Sequence, residues 1–376
     1  MNIKDVIVIG SGAAGSTAAY HLANAGHRVA LVEKNSERLI KPCGGGMASS
    51  VQEWFPFSLE PVVDEVINKV EFTWCLEDKV QAHLPGSSPF WIVRRENLDE
   101  LITQQAIAKG TEFFTSFSVE SIIKEKDHWI VSDINNKQLK SKSIVIADGS
   151  NSPWPQHFKL GPKRQHHAFT TSIRINRRGN LEKGSSRFEF GLVRNGFAWA
   201  FPLKNGVNIG IGTFIGKNSF DNKKILQNFL PDIGLDPSQG ESTQSLLRVW
   251  NGHSSLNKSS LIIIGDAASL CDPFLAEGLR PALLSGYEAA KSISDWLNGE
   301  TSTLDSYTEN MREKWGNSMA WGRRISQVFY RFPKVGYQLG IKRPTAPQRI
   351  AQILSGEMGY GDIASRVIRR LLLKNN

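Results

Sequence analysis

The sequence predicts an α/β fold in which one domain is assembled from separated parts of the chain, with an inserted antiparallel β-sheet domain and a helical C-terminal region. Three observations predict this. The chain opens on a strand-turn-helix-strand pattern from Val6 to Glu33. Runs of buried-strand character return at Ile144–Ala147 and Leu261–Ile264, far apart in sequence. Between them, from about Thr170 to Arg248, the pattern changes to short alternating runs, as half-buried antiparallel strands read.

In chain order, Val6–Ile9 reads as a strand, Gly10–Gly15 as a glycine turn, Ser16–Ala25 as a helix and Val29–Glu33 as a second strand. A loop rich in Gly, Lys and Pro is expected over Asn35–Ser50. A helix is expected over Leu98–Lys109, apolar at Leu98, Leu101, Ile102 and Ala106. Val119–Lys124 and Trp129–Ser132 read as a hairpin. Ser186–Leu192, Phe197–Phe201 and Val207–Thr213 read as antiparallel strands. A long helix is expected over Leu275–Leu297, then a helical tail from Leu304 broken by Pro333, Pro344 and Pro347. The boundaries that follow are 1–70, 93–165 and 248–300 for the discontinuous domain, 71–92 and 166–247 for the β-rich domain, and 301–376 for the helical region.

Composition narrows the setting. The 376 residues are 40% hydrophobic and 22% charged, as in soluble globular chains. No stretch approaches the roughly 20 apolar residues that span a bilayer. Lys4 and Asp5 lead straight into a strand rather than a signal peptide, so a cytoplasmic location is expected. Cys43, Cys75 and Cys271 are too widely spaced for a zinc site or a disulfide framework. Adjacent His166 and His167 point to opposite faces of a strand, so no metal is expected there. The net charge is +9, and Trp321–Asn376, with eleven Lys/Arg against Glu357 and Asp362, carries all of it. That region reads either as a solvated helical surface or as a surface for anionic lipid. Ile368 and Leu371–Leu373 beside Arg366, Arg369 and Arg370 fit the lipid reading. No nucleic-acid-binding module accompanies the charge.

The sharpest motif is Gly10-Ser11-Gly12-Ala13-Ala14-Gly15, which matches G-x-G-x-x-G between a strand and a helix. Gly10 permits the tight turn, Gly12 lets the backbone approach a pyrophosphate, and Gly15 lets helix and strand pack closely. The N-terminus of the following helix offers free N–H groups and a positive dipole end, and Ala13 and Ala14 of the turn are candidates for cofactor contact. Glu33, followed by Lys34, ends the next strand, where a carboxylate accepts hydrogen bonds from a ribose. The pattern is that of a Rossmann-like dinucleotide site for FAD or NAD, and Glu33 disfavours a 2′-phosphate.

Further motifs carry a resemblance. Ile144–Ala147 followed by Asp148, Gly149 and Ser150 resembles the second fingerprint of the aromatic-hydroxylase class of FAD enzymes. Leu261–Ile264, Gly265, Asp266, Pro273 and Glu277-Gly278-Leu279 resemble its third, and Arg95-Glu96-Asn97-Leu98-Asp99 a further element. Lys41-Pro42-Cys43-Gly44-Gly45-Gly46, Phe197-Ala198-Trp199-Ala200-Phe201-Pro202 and the Leu354–Asp362 segment resemble the geranylgeranyl reductases. The chain departs from their pattern at Phe197, where a tyrosine is common, at Ala276, where a glycine is common, and at Arg280-Pro281.

The resemblance implies an FAD-dependent oxidoreductase. It would reduce C=C bonds of a geranylgeranyl or similar isoprenoid chain by hydride from reduced flavin. It places the ribityl chain at Gly265 and Asp266, and the flavin ring near Gly278 and Leu279. Arg95 would lie by the phosphates, with Asp148 and Gly149 completing the cofactor site. An isolated alkene resists hydride attack, so aromatic faces that stabilise cation-like charge are expected. Phe197, Trp199 and Phe201 share one strand face and are candidates for that lining; the plain alternative is an aromatic stripe in a sheet core. Cys43, before three glycines that let backbone pass close to a flat ring, is a candidate proton donor or substrate-positioning residue; the plain alternative is a small buried side chain. Cys271 and Asp272 read as packing and capping. No second glycine fingerprint exists for NADPH, so a nicotinamide donor would visit transiently. A flavin monooxygenase or halogenase, a non-redox cyclase and a protein holding FAD only structurally are the competing readings.

Overall fold

Three sheets organise the chain in a computed structural model that describes residues 3–37, 42–86, 89–214, 222–240 and 242–373. The side chains of 222, 223 and 367–373 lie outside that description, as does Lys41. The first sheet has eight strands. Its main path runs Asn257–Lys258, Leu261–Ile263, Gln138–Ile146, Lys4–Ile9, Val29–Val32, Glu112–Phe114. Strands His128–Asp133 and Val119–Glu125 extend it antiparallel from Gln138–Ile146. The core pairs are parallel, with Val8 opposite Val145 and Leu31, and Ile146 opposite Ile263. Segments from three distant parts of the sequence therefore share one sheet, as the separated apolar runs require. Val6, Ile7, Val8, Ile144, Val145 and Ile262 are fully buried, as residues of a parallel sheet covered on both faces are.

Helix Ala13–Asn24 packs on Leu279–Leu297 and on Arg95–Ala108. Gly286 makes the first contact possible, since a Cβ there would lie 2.4 Å from the Ala14 carbonyl. Ser16 Oγ lies 2.8 Å from Thr103 Oγ1 across the second.

The second sheet has seven strands in the order Ser242–Val249, His166–Ile175, Gly206–Thr213, Gly196–Leu203, Ser185–Phe190, Lys69–Trp74, Glu77–His83. It is antiparallel except where Ser185–Phe190 runs parallel to Lys69–Trp74. That pair is joined through a long excursion of chain, so alternation alone did not reveal its direction. A third sheet of Gly46–Ala48, Phe90–Val93 and Val63–Ile67 packs against Gly196–Leu203 of the second sheet and against Leu279–Leu297.

Element starts differ from the sequence expectation in instructive places. The first helix begins at Ala13, inside the glycine motif, with Gly12 as its N-cap. The long helix begins at Leu279, not Leu275. Asp272 accepts hydrogen bonds from the Phe274 and Leu275 N–H groups, and Ala276 has φ +55°, so residues 272–278 form a turn that no helix can enter. Gly46–Ala48, expected as loop, pairs with Phe90–Ile92.

The C-terminal helices are fastened to the turn after Ile263. Tyr307 Oη donates to the Ile263 carbonyl, Trp315 Nε1 to Leu270, Tyr330 Oη to Phe274, and Tyr360 Oη to the Asp272 carboxylate at 2.7 Å. Helix breaks fall at Phe332, before Pro333, and in 342–345, around Pro344. Pro347 is tolerated in the first turn of Ala346–Leu354.

Candidate active site

A cavity of about 620 Å³ opens where the parallel strands end, and the second and third sheets wall its far side. Ligand sites in doubly wound sheets form at such carboxyl ends. The cavity brings together Gly10, Gly12, Ala13, Ala14, Glu33, Lys34, Cys43, Gly44, Gly45, Gly46, Arg95, Asp148, Gly149, Phe197, Trp199, Phe201, Gly265, Asp266, Gly278 and Leu279. Of the residues singled out in the sequence for cofactor or substrate, only Gly15 stands back from it. A Cβ on Gly15 would lie 1.9 Å from the Gly10 carbonyl, so its work is helix-to-turn packing.

The nucleotide end is built by close backbone approach. Gly10 has φ +101°, and a Cβ there would lie 2.5 Å from the Ala147 carbonyl. Glu33 accepts from the Ser11 N–H and hydroxyl at 3.1 and 2.9 Å, and from the Asn35 side chain at 2.9 Å. These bonds fix its carboxylate on the cavity wall. Helices Ala13–Asn24 and Leu279–Leu297 both start at the cavity, from Gly12 and Gly278, with no side-chain cap. Two helix N-termini thus offer N–H groups and positive dipole ends to one space.

Charged side chains lie between these termini. Arg95 holds Asp99 through Nε and Nη2 at 3.1 and 3.0 Å. Burial works against its charge, but Asp99 and the nearby Asp266 raise its pKa above the ordinary arginine value. Buried Arg248 donates to the Ser152 carbonyl at 2.6 Å and reaches the Ala267 carbonyl at 3.5 Å. It therefore ties together the two loops that carry Asp148 and Asp266. Burial lifts Asp148 to about 6, and its Oδ1 has no hydrogen-bond partner.

Glu277 lines the cavity with Oε1 unpartnered, while Oε2 accepts from Arg280 Nη2 at 2.7 Å. Burial pushes its carboxyl up to about 7 despite Arg280, and Asp272 adds to the rise. Buried unpaired polar atoms are costly, so Asp148 Oδ1 and Glu277 Oε1 mark places where a bound molecule supplies hydrogen bonds.

The apolar end joins the two segments that resemble geranylgeranyl reductases. A Cβ on Gly44 would lie 3.0 Å from Phe201 and 3.2 Å from Trp199 Nε1, and one on Gly46 would lie 2.6 Å from Phe90. The glycines let this strip of backbone lie flat against the aromatic face. Asn208 Nδ2 donates to the Cys43 carbonyl at 2.5 Å, and the Gly45 N–H donates to Cys43 Sγ at 3.3 Å, which fixes the thiol. Phe188, Phe197, Trp199 and Phe201 form one contiguous set of tilted and edge-to-face rings, with ring centroids 5.3–6.3 Å apart. Trp199 Nε1 is buried without a partner.

Sequence reasoning missed Arg248, Asn208 and the acid role open to Glu277. Glu277 sat within a quoted motif, and its carboxylate beside Arg280 was the signal available. Arg248 and Asn208 carry no motif.

The fit to FAD is good. The glycine turn, the Glu33 wall, two helix N-termini and the unpaired Asp148 oxygen suit a sugar-diphosphate.

Comparison with known proteins agrees. Residues 4–186 match the family model described as pyridine nucleotide-disulphide oxidoreductase. The chain is 26% identical over 314 residues to digeranylgeranylglycerophospholipid reductase of Thermoplasma volcanium, covering 77% of this chain and 78% of that one. It is 26% identical over 356 residues to menaquinone reductase of Mycobacterium tuberculosis, covering 88% and 85%. A solved geranylgeranyl bacteriochlorophyll reductase-like protein from Thermoplasma acidophilum superposes with TM-score 0.83 at 20% identity, over 98% of this chain and 99% of that one.

Proposed function

We propose that this chain, an FAD-dependent oxidoreductase related to the geranylgeranyl reductases, reduces C=C bonds in a geranylgeranyl or similar isoprenoid chain, with NADPH as transient electron donor. The observation that carries the reading is the contact of the Cys43–Gly46 strip with Trp199 and Phe201 inside the cavity that also holds the dinucleotide loop. Bound FAD, once reduced, supplies one hydrogen with its electron pair to an alkene carbon. The other carbon needs a proton.

The chain's own residues supply the rest. Gly10, Gly12 and the first turn of Ala13–Asn24 bind the diphosphate, and Glu33 orients the sugar. Arg95 adds positive charge beside Asp266. The N-terminus at Gly278 and Leu279 stabilises negative charge on a ring placed against it. Phe197, Trp199 and Phe201 exclude water and stabilise positive charge on the alkene. Cys43 Sγ and Glu277 Oε1 are our candidates among the wall groups for holding the proton; Asp148 lies at the nucleotide end. Glu277, at about 7, is poised to give it up near neutral pH.

A cytoplasmic location against a membrane surface, reached through the basic C-terminal region, suits a substrate that partitions into lipid. The helix Tyr360–Leu373 belongs to that region, but the side chains of Ile368, Arg369, Arg370 and Leu371–Leu373 lie outside the described residues. No helix among the described residues is long and apolar enough to cross a membrane.

The test is mass spectrometry of lipid extract incubated with the reduced protein. A gain of two hydrogens on a prenyl compound supports the reading. A gain of oxygen assigns the monooxygenase alternative, and an unchanged lipid rejects the proposal.

A further inference from the structure

Four of the nine large hydrophobic residues exposed among the described residues fall within twelve consecutive positions. They are Val328, Phe332, Val335 and Leu339, which are 69%, 61%, 55% and 54% exposed. They span the end of Asn317–Arg331, the break at Phe332, the turn Pro333–Gly336 and the wide turn Tyr337–Ile341. The residues between them fill the opposite face. Phe329 packs edge-on against Phe190 and Phe274, at 5.4 and 5.2 Å. Tyr337 packs against Trp74 and donates to the Phe72 carbonyl at 3.0 Å. The inner face is occupied, so the outer four cannot turn inward.

The charge carried by this segment itself has one sign, and Asp78, which accepts from Gln338 at 2.7 Å and pairs with Lys342, is the acid that reaches it from a neighbouring strand. No Asp or Glu occurs from Asn317 to Gly356. Arg324, Arg331, Lys334 and Arg343 are exposed along the stripe, and Arg324 lies over the Trp321 ring. Lys342 is also exposed but is held by Asp78. Exposed bulky apolar residues flanked by exposed cations are the pattern of a segment that rests in a lipid headgroup layer. A second copy docking symmetrically would set these cations against each other.

We propose that the outer face of residues 328–339 docks on an anionic lipid bilayer, with Val328, Phe332, Val335 and Leu339 inserted among the headgroups. The proposal deepens the membrane-surface part of the function proposed above, and rests on it for the choice of lipid as partner. It moves the contact from the terminal helix to a segment built against the cavity. Phe329 touches Phe190, Phe190 touches Phe197 at 5.6 Å, and Phe197 lines the cavity. Two aromatic contacts therefore link Phe329, on the inner side of the docking segment, to the proposed isoprenoid wall.

Flotation of the full flavin-loaded chain tests this, using vesicles of phosphatidylglycerol with phosphatidylcholine and vesicles of phosphatidylcholine alone. The wild type floats with the anionic vesicles and far less with the neutral ones. The quadruple change Val328→Ser, Phe332→Ser, Val335→Ser and Leu339→Ser lowers the vesicle-bound fraction at least about tenfold. Arg331→Glu, Lys334→Glu and Arg343→Glu together lower it comparably. Bound flavin absorbance reports that each variant is folded, and if the serine variant loses its flavin the charge variant decides. Removal of residues 364–376 leaves most of the binding. A wild type that stays with the soluble fraction, or variants that float like it, overturns the proposal. So does a dimer in light scattering that the serine variant converts to monomer. Activity on detergent-dispersed lipid separates the two readings: a protein that floats without reducing prenyl lipid contradicts the reductase reading and leaves the docking face standing.

Discussion

Replacing Glu277 by Gln removes a titrating group from the wall of the cavity and leaves an acceptor for Arg280. Folding moves the Glu277 carboxyl from the ordinary 4.5 to about 7, with burial the largest cause. At roughly 1.4 kcal/mol per pH unit, that difference is worth about 3 kcal/mol. The sign follows from the raised pKa. The favourable contribution of the neutral carboxyl is complete below pH 4.5 and is lost as pH rises through 7, because only the unfolded chain ionises freely. The flavin-free wild type therefore loses stability between pH 5.5 and 8.5, and Glu277→Gln does not lose that part. The two proteins should agree within about 1 kcal/mol at pH 5.5, and the variant should be more stable by about 2–3 kcal/mol at pH 8.5. Urea unfolding followed by tryptophan fluorescence at both pH values reads the difference. Parallel stability profiles from pH 5.5 to 8.5 would refute a neutral Glu277 and, with it, its place as a proton holder.

Three further outcomes follow from single contacts. Gly10→Ala must give up φ +101° and meets the Ala147 carbonyl at 2.5 Å, so flavin content after purification should fall to roughly a tenth or less; full yellow colour would contradict the glycine-turn account. Gly210→Ala places a methyl 1.9 Å from the Trp199 indole and displaces that ring. Turnover of a prenyl substrate should drop about tenfold in kcat/KM with flavin content unchanged, and an unaffected kcat/KM would remove Trp199 from the substrate wall. Ala276→Gly relieves a left-handed residue at φ +55°. The relief of about 1 kcal/mol is partly offset by a freer unfolded chain, so the urea midpoint should rise slightly; a fall would show that the Ala276 methyl contributes packing.

The nucleotide end of the site was legible because its parts are local. Gly10 to Gly15, Glu33, Asp148 and Asp266 each sit at the end of a short apolar strand, and strand ends in a parallel sheet converge by geometry. The glycines at 44–46 and the Phe197–Phe201 stripe were visible separately. Their contact was not, because it depends on a third sheet formed by Gly46–Ala48, Phe90–Val93 and Val63–Ile67. Arg248 and Asn208 were invisible for the same reason. Each is an ordinary polar residue until pairing in the second sheet sets it against a loop from another part of the chain. The start of the long helix was misjudged because hydrophobic rhythm continues through Leu275, while the Asp272 carboxylate and the left-handed Ala276 stop the helix until Leu279.

The account turns on electrons passing from flavin to an isolated alkene inside this cavity. The most direct measurement is an anaerobic single turnover. The flavin-loaded protein is reduced, freed of excess reductant and mixed with a geranylgeranyl lipid, and the flavin absorbance is followed. The account predicts that the oxidised band returns without oxygen, with one double bond lost per flavin. A flavin that stays reduced until air is admitted would contradict it.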